Sequence, residues 1–396
     1  MQPDQSGGNP ERSVWRAPGI PQLIVMTSTG FAGFALLMPV APMWAAQGGA
    51  NATGVGFVTG VFMFCTVAVQ LFVPRLLRTY GWARVLVAGL LLLGLPAPLH
   101  LLSDALPLVL TLAAVRGAGF AILTVTGSSA IAELIEPARR GRAIGAFGLA
   151  SAAPQVVVLP LAPWVAENFG FATVFIAALA PLLGVGAAYR LGHRIDNLPR
   201  HPDLENPNLQ GGLHRFAGLV PPMVLLLGVT LAGGALITFV PQFAPDALLA
   251  MVALLLLTGF TALSRWGAGY AADRYGGRGL LWPCVLSTVV GLILCAWSVA
   301  GTDRAAALLT GMALIGLSYG ALQNLTLGLS FAAVPRRHQV VASAAWNISF
   351  DTGTGLGAVI VGAIATGFTF PIALLAAAVI SLLTLPMAFL RARRPA

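Results

Sequence analysis

Charge is scarce in this chain, and lysine is absent from it. Charged residues make up 9% of the 396 positions, where a soluble globular protein carries about 25%. That shortage excludes an ordinary water-solvated domain and makes lipid the solvent. The 22 basic residues are all arginine and outnumber the 13 acids, for a formal charge of +9. In a soluble chain such a balance would point to nucleic acid. Here it fits basic loops on one face of a membrane, and no nucleic-acid partner is expected; the missing lysine is read as a matter of genome composition.

Cysteine and histidine are scarce too. Cys65, Cys284 and Cys295 all lie inside apolar runs. The last two stand about 16 Å apart along one helix, too far for a disulfide, and all three read as small packing residues. No C-x-x-C pair or His/Cys cluster offers a metal site. His100, His193, His201, His214 and His338 fall in loops or at the ends of apolar runs, so no catalytic cluster gathers at one depth and enzyme chemistry is not expected. No stretch of the form G-x-x-x-x-G-K-[ST] is present, so ATP-driven pumping has no support. No cofactor is expected.

What the chain has in abundance is long apolar runs: 57% of it is hydrophobic and its mean hydropathy is +0.85. A span needs about 20 apolar residues, and twelve are predicted, at 22–46, 54–77, 83–103, 106–130, 142–165, 170–190, 217–242, 247–271, 279–300, 305–331, 339–364 and 369–390. This divides the chain into a cytoplasmic tail (1–19), a six-helix half (20–191), a cytoplasmic linker (192–215), a second six-helix half (216–391) and a short cytoplasmic tail (392–396). The polar segment Met1–Pro18 carries Arg12 and Arg16 without an early apolar core, and is not expected to be a cleaved signal peptide.

The arginines set the orientation, because basic residues stay on the cytoplasmic side. With the N-terminus inside, 20 of the 22 fall on inner segments, leaving Arg304 outside and Arg116 within a span. Both termini are therefore expected in the cytoplasm, in a bacterial inner membrane. The halves also read as repeats. The turn Pro74–Arg84 aligns with Gly269–Arg278, and Arg139-Arg140 before span five mirrors Arg336-Arg337 before span eleven. Parallel halves of this kind are expected to hold a binding site between them near the midplane.

One turn carries the most specific pattern. Between the apolar runs Leu248–Leu263 and Gly279–Ala300 lies Arg265-Trp-Gly-Ala-Gly269-Tyr-Ala-Ala-Asp273-Arg274-Tyr-Gly276-Gly-Arg278. Its small residues Gly267, Ala268, Gly269, Ala271 and Ala272 suit close helix packing. The pattern G-x-x-x-D-R-x-G-x-R resembles the cytoplasmic loop signature of the major facilitator superfamily, found after the second and eighth membrane helices. In the first half Arg78 stands where the second has Asp273, and Pro74 replaces the leading glycine. The resemblance implies an all-α fold of twelve transmembrane helices in two pseudo-symmetric halves. It also implies a cytoplasmic gate at Gly269, Asp273, Arg274, Gly276 and Arg278, with the first-half latch reversed in charge.

Ionisable residues inside a span are costly and functional by default. Asp351, about twelve residues into span eleven, is the one acid away from loops and span ends. Asn347 lies one turn before it on the same face; Gly353 and Gly357 follow, marking a helix that is tightly packed or locally unwound. A carboxylate in so apolar a setting is suited to take up and release protons. It reads as a proton-coupling or substrate-charge site, or as a structural acid satisfied by amides. Arg116, in Val115-Arg116-Gly117-Ala118-Gly119, resembles the Arg-plus-Gly motif of span four in proton-coupled efflux members of the superfamily, which implies a part in coupling. An anchor for backbone carbonyls or a contact to an anionic substrate remain open. Arg cannot deprotonate, so it would act by field and hydrogen bonds.

Gln155, Gln323 and Asn324 are amides at depth, each readable as a cavity contact or an interhelical hydrogen bond. Spans one, four, seven and ten line the cavity in this fold, which brings in Phe34 and Met38 as apolar lining. An apolar cavity with few polar groups suits a small amphipathic ligand. The nearest resemblance is to the arabinose-efflux and drug-efflux branch, although Ala153-Pro154 and Val157-Val158 replace the glycines typical of its antiporters. The expected function is proton-coupled efflux of a small molecule by alternating access. Partners are then protons, substrate and lipid, and a monomer suffices. A proton-independent facilitator, a symporting importer and a non-transporting receptor are the other readings.

Overall fold

Apolar runs of two dozen residues cannot leave backbone N–H and C=O groups unpaired in lipid, so they coil into helices. The computed structural model describes residues 17–135, 140–198, 217–275, 277–301, 304–335 and 338–390, and no strand occurs among them. The first half contains α1 (Ile20–Gln47), α2 (Ala52–Gln70), α3 (Val73–Tyr80), α4 (Trp82–Gly94), α5 (Leu106–Leu134), α6 (Arg140–Phe169), α7 (Phe171–Ala177) and α8 (Val185–Asp196). The second contains α9 (Val220–Phe243), α10 (Ala247–Tyr275), α11 (Leu281–Val299), α12 (Ala305–Ala332), α13 (Gln339–Gly367) and α14 (Phe370–Leu383). Joined by short 3₁₀ turns, they make twelve stretches long and apolar enough to cross a membrane. The protein is an integral, multi-pass membrane protein.

The halves repeat one packing scheme. Helix α1 lies on α6 as α9 lies on α13, α2 on α5 as α10 on α12, and α4 on α8 as α11 on α14. They meet along a seam in which α2 packs on α13, α6 on α10 and, less extensively, α1 on α9. Glycines allow the close approach. A Cβ at Gly56 would meet the Ala358 carbonyl, and one at Gly357 the Leu231 carbonyl, so α13 is clamped between α2 and α9. Apolar side chains such as Trp266, 86% exposed, and Phe64, 73% exposed, cover the outer surface, where lipid replaces water.

Four details differ from the sequence reading. Span two does not run unbroken to residue 77. It stops at Gln70 and restarts at Val73 with proline in the first turn of α3, where a missing N–H costs nothing. His193–Asp196, read as connector, are the last turn of α8. The Asp196 carboxylate accepts from the Trp82 and Ala83 N–H groups at 2.8 and 3.1 Å, capping α4 where the chain turns through Gly81 at φ 81°. Arg265, counted with the inner loops, sits inside α10, about 15 Å of helix before Tyr275. Gly267 faces open space; the close approach of α10 to α12 runs through Gly316 and Gly320 against the Leu257 and Thr261 carbonyls.

Candidate functional site

Helix α13 carries the central acid. Asp351 is 4% exposed, and its Oδ2 accepts a hydrogen bond of 2.7 Å from Gln70 Nε2 on α2. The same amide nitrogen reaches Thr124 Oγ1 on α5 at 3.2 Å, and Thr124 in turn bonds the Phe120 and Ala121 carbonyls. Gln70 Oε1 is buried without a partner. The acid of the second half is thus held by an amide of the first. Gly353, packed against Thr230 and Leu227 of α9, seats this stretch of helix against the neighbouring span. Helix α13 is continuous through its glycines, so they serve packing and not unwinding.

Tyr319 of α12 is within electrostatic reach of both Asp351 and Arg265. Its ring packs edge-on to Phe350, which stacks on Trp346. Arg265 Nη1 donates to Gln323 Oε1 at 3.3 Å, and Asn324 Nδ2 donates to the Arg265 carbonyl at 2.9 Å. The two predicted amides of span ten therefore tie α12 to α10. Asn347 and Gln155 do otherwise: each donates to its own helix, to Ser343 and Ser151 carbonyls at 2.9 and 3.0 Å.

Arg116 is not brought to this cluster. It lies mid-bundle, about two turns of α5 from Thr124, 2% exposed, with Nε on the Leu93 carbonyl at 3.1 Å and Nη2 on the Gly33 carbonyl at 2.9 Å. Its guanidinium lies 5.8 Å from the Phe62 ring centre. Phe34 stacks on Phe120 at 4.1 Å, and Phe34, Met38, Thr59, Phe62 and Arg116 line a cavity of about 10 Å³. That is the size of one water. His100 is fully buried nearby, stacked on Phe175.

In the loop motif, Gly269 approaches Asn324, and Arg274 and Arg278 are exposed. Gly276 and the side chain of Asp273 lie outside the described residues. Arg278 lines a groove of about 160 Å³ with Pro221, Pro222, Leu281 and Met387.

Between the halves, hydrogen bonds run from Thr53–Thr366 at the end far from the linker, through Thr59–Thr238, to Gln70–Asp351. Among the described residues, Gln70–Asp351 is the one nearest the arginine-rich end. The bundle is accordingly closed at the far end. Gln70, Tyr319 and Arg265 were missed by sequence reasoning. A glutamine inside span two and a guanidinium ten positions short of a helix end were the available signals; nothing local pointed to Tyr319.

Two matched six-helix halves meeting at a seam with a buried acid define a two-half membrane transporter build. A family model described as Major Facilitator Superfamily matches residues 23–350, and the chain belongs to that superfamily. It is 33% identical over 143 residues to uncharacterized MFS-type transporters of Burkholderia mallei (strain SAVP1) and Burkholderia pseudomallei (strain K96243). The match spans 34% of this chain and about a third, 33%, of those relatives' length. Among solved structures, a bacterial homologue of the human lysosomal transporter Spinster, inward-facing and unoccupied, superposes with a TM-score of 0.74. That likeness covers 94% of this chain and 95% of the other at 13% identity. The nucleoside transporter NupG gives 0.66 over 94% and 100% at 12% identity. These structures share the fold.

Proposed function

We propose that this protein is a proton-coupled secondary transporter that moves a small amphipathic molecule by alternating access, with Asp351 as the proton carrier. The observation that carries the reading is the bond from Gln70 to Asp351 across the seam between halves. An ionised carboxylate accepts from the Gln70 N–H with charge assistance; a protonated one can still accept through its carbonyl oxygen but loses that assistance. Loading a proton therefore changes the strength of a contact that must break when the halves rock. Gln323, Asn324, Asn347 and Gln155, with Phe34 and Met38, are proposed to border the substrate path, and the Gly269–Arg278 turn to gate it on the cytoplasmic side.

The proposed orientation places the linker and both termini in the cytoplasm of a bacterial inner membrane, with the monomer as the working unit. Arg116 fits an anchor better than a proton partner, because carbonyls and an aromatic face occupy its guanidinium. Resemblance favours antiport, with substrate leaving the cell. A second reading, proton symport, is favoured by a second embedded charge on the same half: Arg265 is held by Gln323 of α12, the helix whose Tyr319 packs on Phe350 beside Asp351.

The test is proton flux in proteoliposomes with a panel of drugs, sugars and organic acids. Wild type is expected to move protons in a substrate-dependent way, and Asp351→Asn to abolish that flux while still exchanging substrate. The sign of the flux separates antiport from symport. Unchanged flux in the variant would make Asp351 structural, and substrate equilibration without proton movement would make the protein a facilitator.

A further inference from the structure

Arg116, Arg304 and Arg265 differ in what remains to their guanidinium groups. Arg116 spends its donors on two carbonyls and an aromatic face. Arg304, at the far end, bonds the Trp297 carbonyl and lies over the Trp297 ring. Arg265 has a single long bond, 3.3 Å, to a neutral amide. Among the described residues no carboxylate forms an ion pair with it. A guanidinium carries five donors, and here nearly all are unspent in a low-dielectric setting where an unpaired charge is costly.

The side chain is nonetheless held in place. Asn324 clips its backbone to α12, the Gly316 and Gly320 contacts press the helices together, and Gln323, itself buried, orients the guanidinium. Arg265 is half-buried, and none of its nitrogens is sealed away without a partner, so its free N–H groups stay reachable. Tyr319 stands beside it with Phe350 and Trp346 behind. Positive charge, forked donors and an aromatic wall occur together on the second half, next to the proposed proton site.

We infer that Arg265 is the binding group for an oxyanion, and that the transported molecule is an amphipathic anion bearing a carboxylate or phosphate on an apolar body. A guanidinium fork matches these groups in geometry and charge. Gln323 positions the fork, and the aromatic residues meet the apolar portion. The inference rests on the reading of the chain as a small-molecule transporter, and it adds the charge class of the substrate.

The experiment uses the full chain in nanodiscs, with no proton gradient. The probes are 4-phenylbutyrate, its amide, 4-phenylbutylamine and phenyl phosphate, and binding is read by intrinsic tryptophan fluorescence and thermal shift. The two anions are expected to bind, with the amide and amine at least tenfold weaker. Arg265→Gln should weaken anion binding about tenfold or more, and Arg265→Lys should restore part of it. Matching melting temperatures of the unliganded variants guard against a folding defect, and the lysine variant keeps the charge if the glutamine variant is unstable. Equal binding of amide or amine, absence of any anion response, or anion binding indifferent to Arg265→Gln would overturn the inference. Arg265-dependent anion binding without proton flux would sink the coupling reading alone. Proton flux driven by neutral or cationic substrates and unaffected by Arg265→Gln would sink this inference alone.

Discussion

Replacing Gln70 by leucine removes the amide that joins the halves and keeps the side chain's bulk. The lost interaction is a 2.7 Å bond to a carboxylate between two buried residues, and bonds to charged groups are worth about 1.5–3 kcal/mol. The bond belongs to the arrangement closed at the far end. Its loss should therefore shift the population away from that arrangement by roughly tenfold to a hundredfold. The assay is a distance distribution between spin labels on Gln47→Cys and Pro245→Cys, both exposed at the far end. The background has Cys65, Cys284 and Cys295 replaced by serine. The short-distance population seen in the parent should shrink in Gln70→Leu. Low pH in the parent should produce a smaller change in the same direction, because protonation removes only the charge assistance. Identical distributions in parent and variant would refute the argument, since the bond would then contribute equally to every state or to none.

Two further outcomes follow from the anchors. Asp196→Ala should lower stability by about 1 kcal/mol through loss of the α4 cap, visible as a drop in melting temperature that Asp196→Asn largely recovers; an unchanged melting temperature would deny the cap any weight. Arg116→Gln gives up two charge-assisted bonds to the Leu93 and Gly33 carbonyls, so stability should fall by about 3 kcal/mol while the proton-to-substrate ratio per folded molecule stays constant. A changed ratio at unchanged stability would move Arg116 from anchor to coupling.

The architecture was legible because lipid leaves the chain few choices. Apolar runs of span length with charged turns between them fixed twelve helices, and the loop pattern named their arrangement. Asp351 was legible for the same reason, as an acid at a depth where acids are expensive. Its partner was not, because Gln70 lies 281 positions away and the pairing depends on how two halves dock. Arg265 was misplaced by arithmetic: it was counted with the inner loops although the span at 247–271 already contains it, and the helix runs on to Tyr275. Arg116 was found correctly as an embedded cation, but only packing shows that its donors are spent.

If Arg265 holds an anion and Asp351 a proton, electrostatics relates the two events. The groups facing Asp351 are Gln70 from α2 and Tyr319 from α12, with Arg265 of α10 within reach of Tyr319. A monoanion on Arg265 neutralises the guanidinium, and its negative charge disfavours the ionised carboxylate nearby. Two unit charges on the order of 10 Å apart at an effective dielectric of 20 interact by about 1.7 kcal/mol, roughly fifteenfold in affinity. Reciprocity requires that a proton on Asp351 tighten the anion by the same factor. Proton and anion then favour one another in a single loaded state, which is the thermodynamic character of symport, whereas antiport needs each to expel the other. The two cycles also differ in charge. One proton travelling with one monoanion moves no net charge, but their exchange moves two, worth about 4.6 kcal/mol per 100 mV. Transport of an anionic substrate that ignores an imposed membrane potential would therefore favour symport over the efflux that the sequence resemblance implies, and a steep potential dependence would favour exchange.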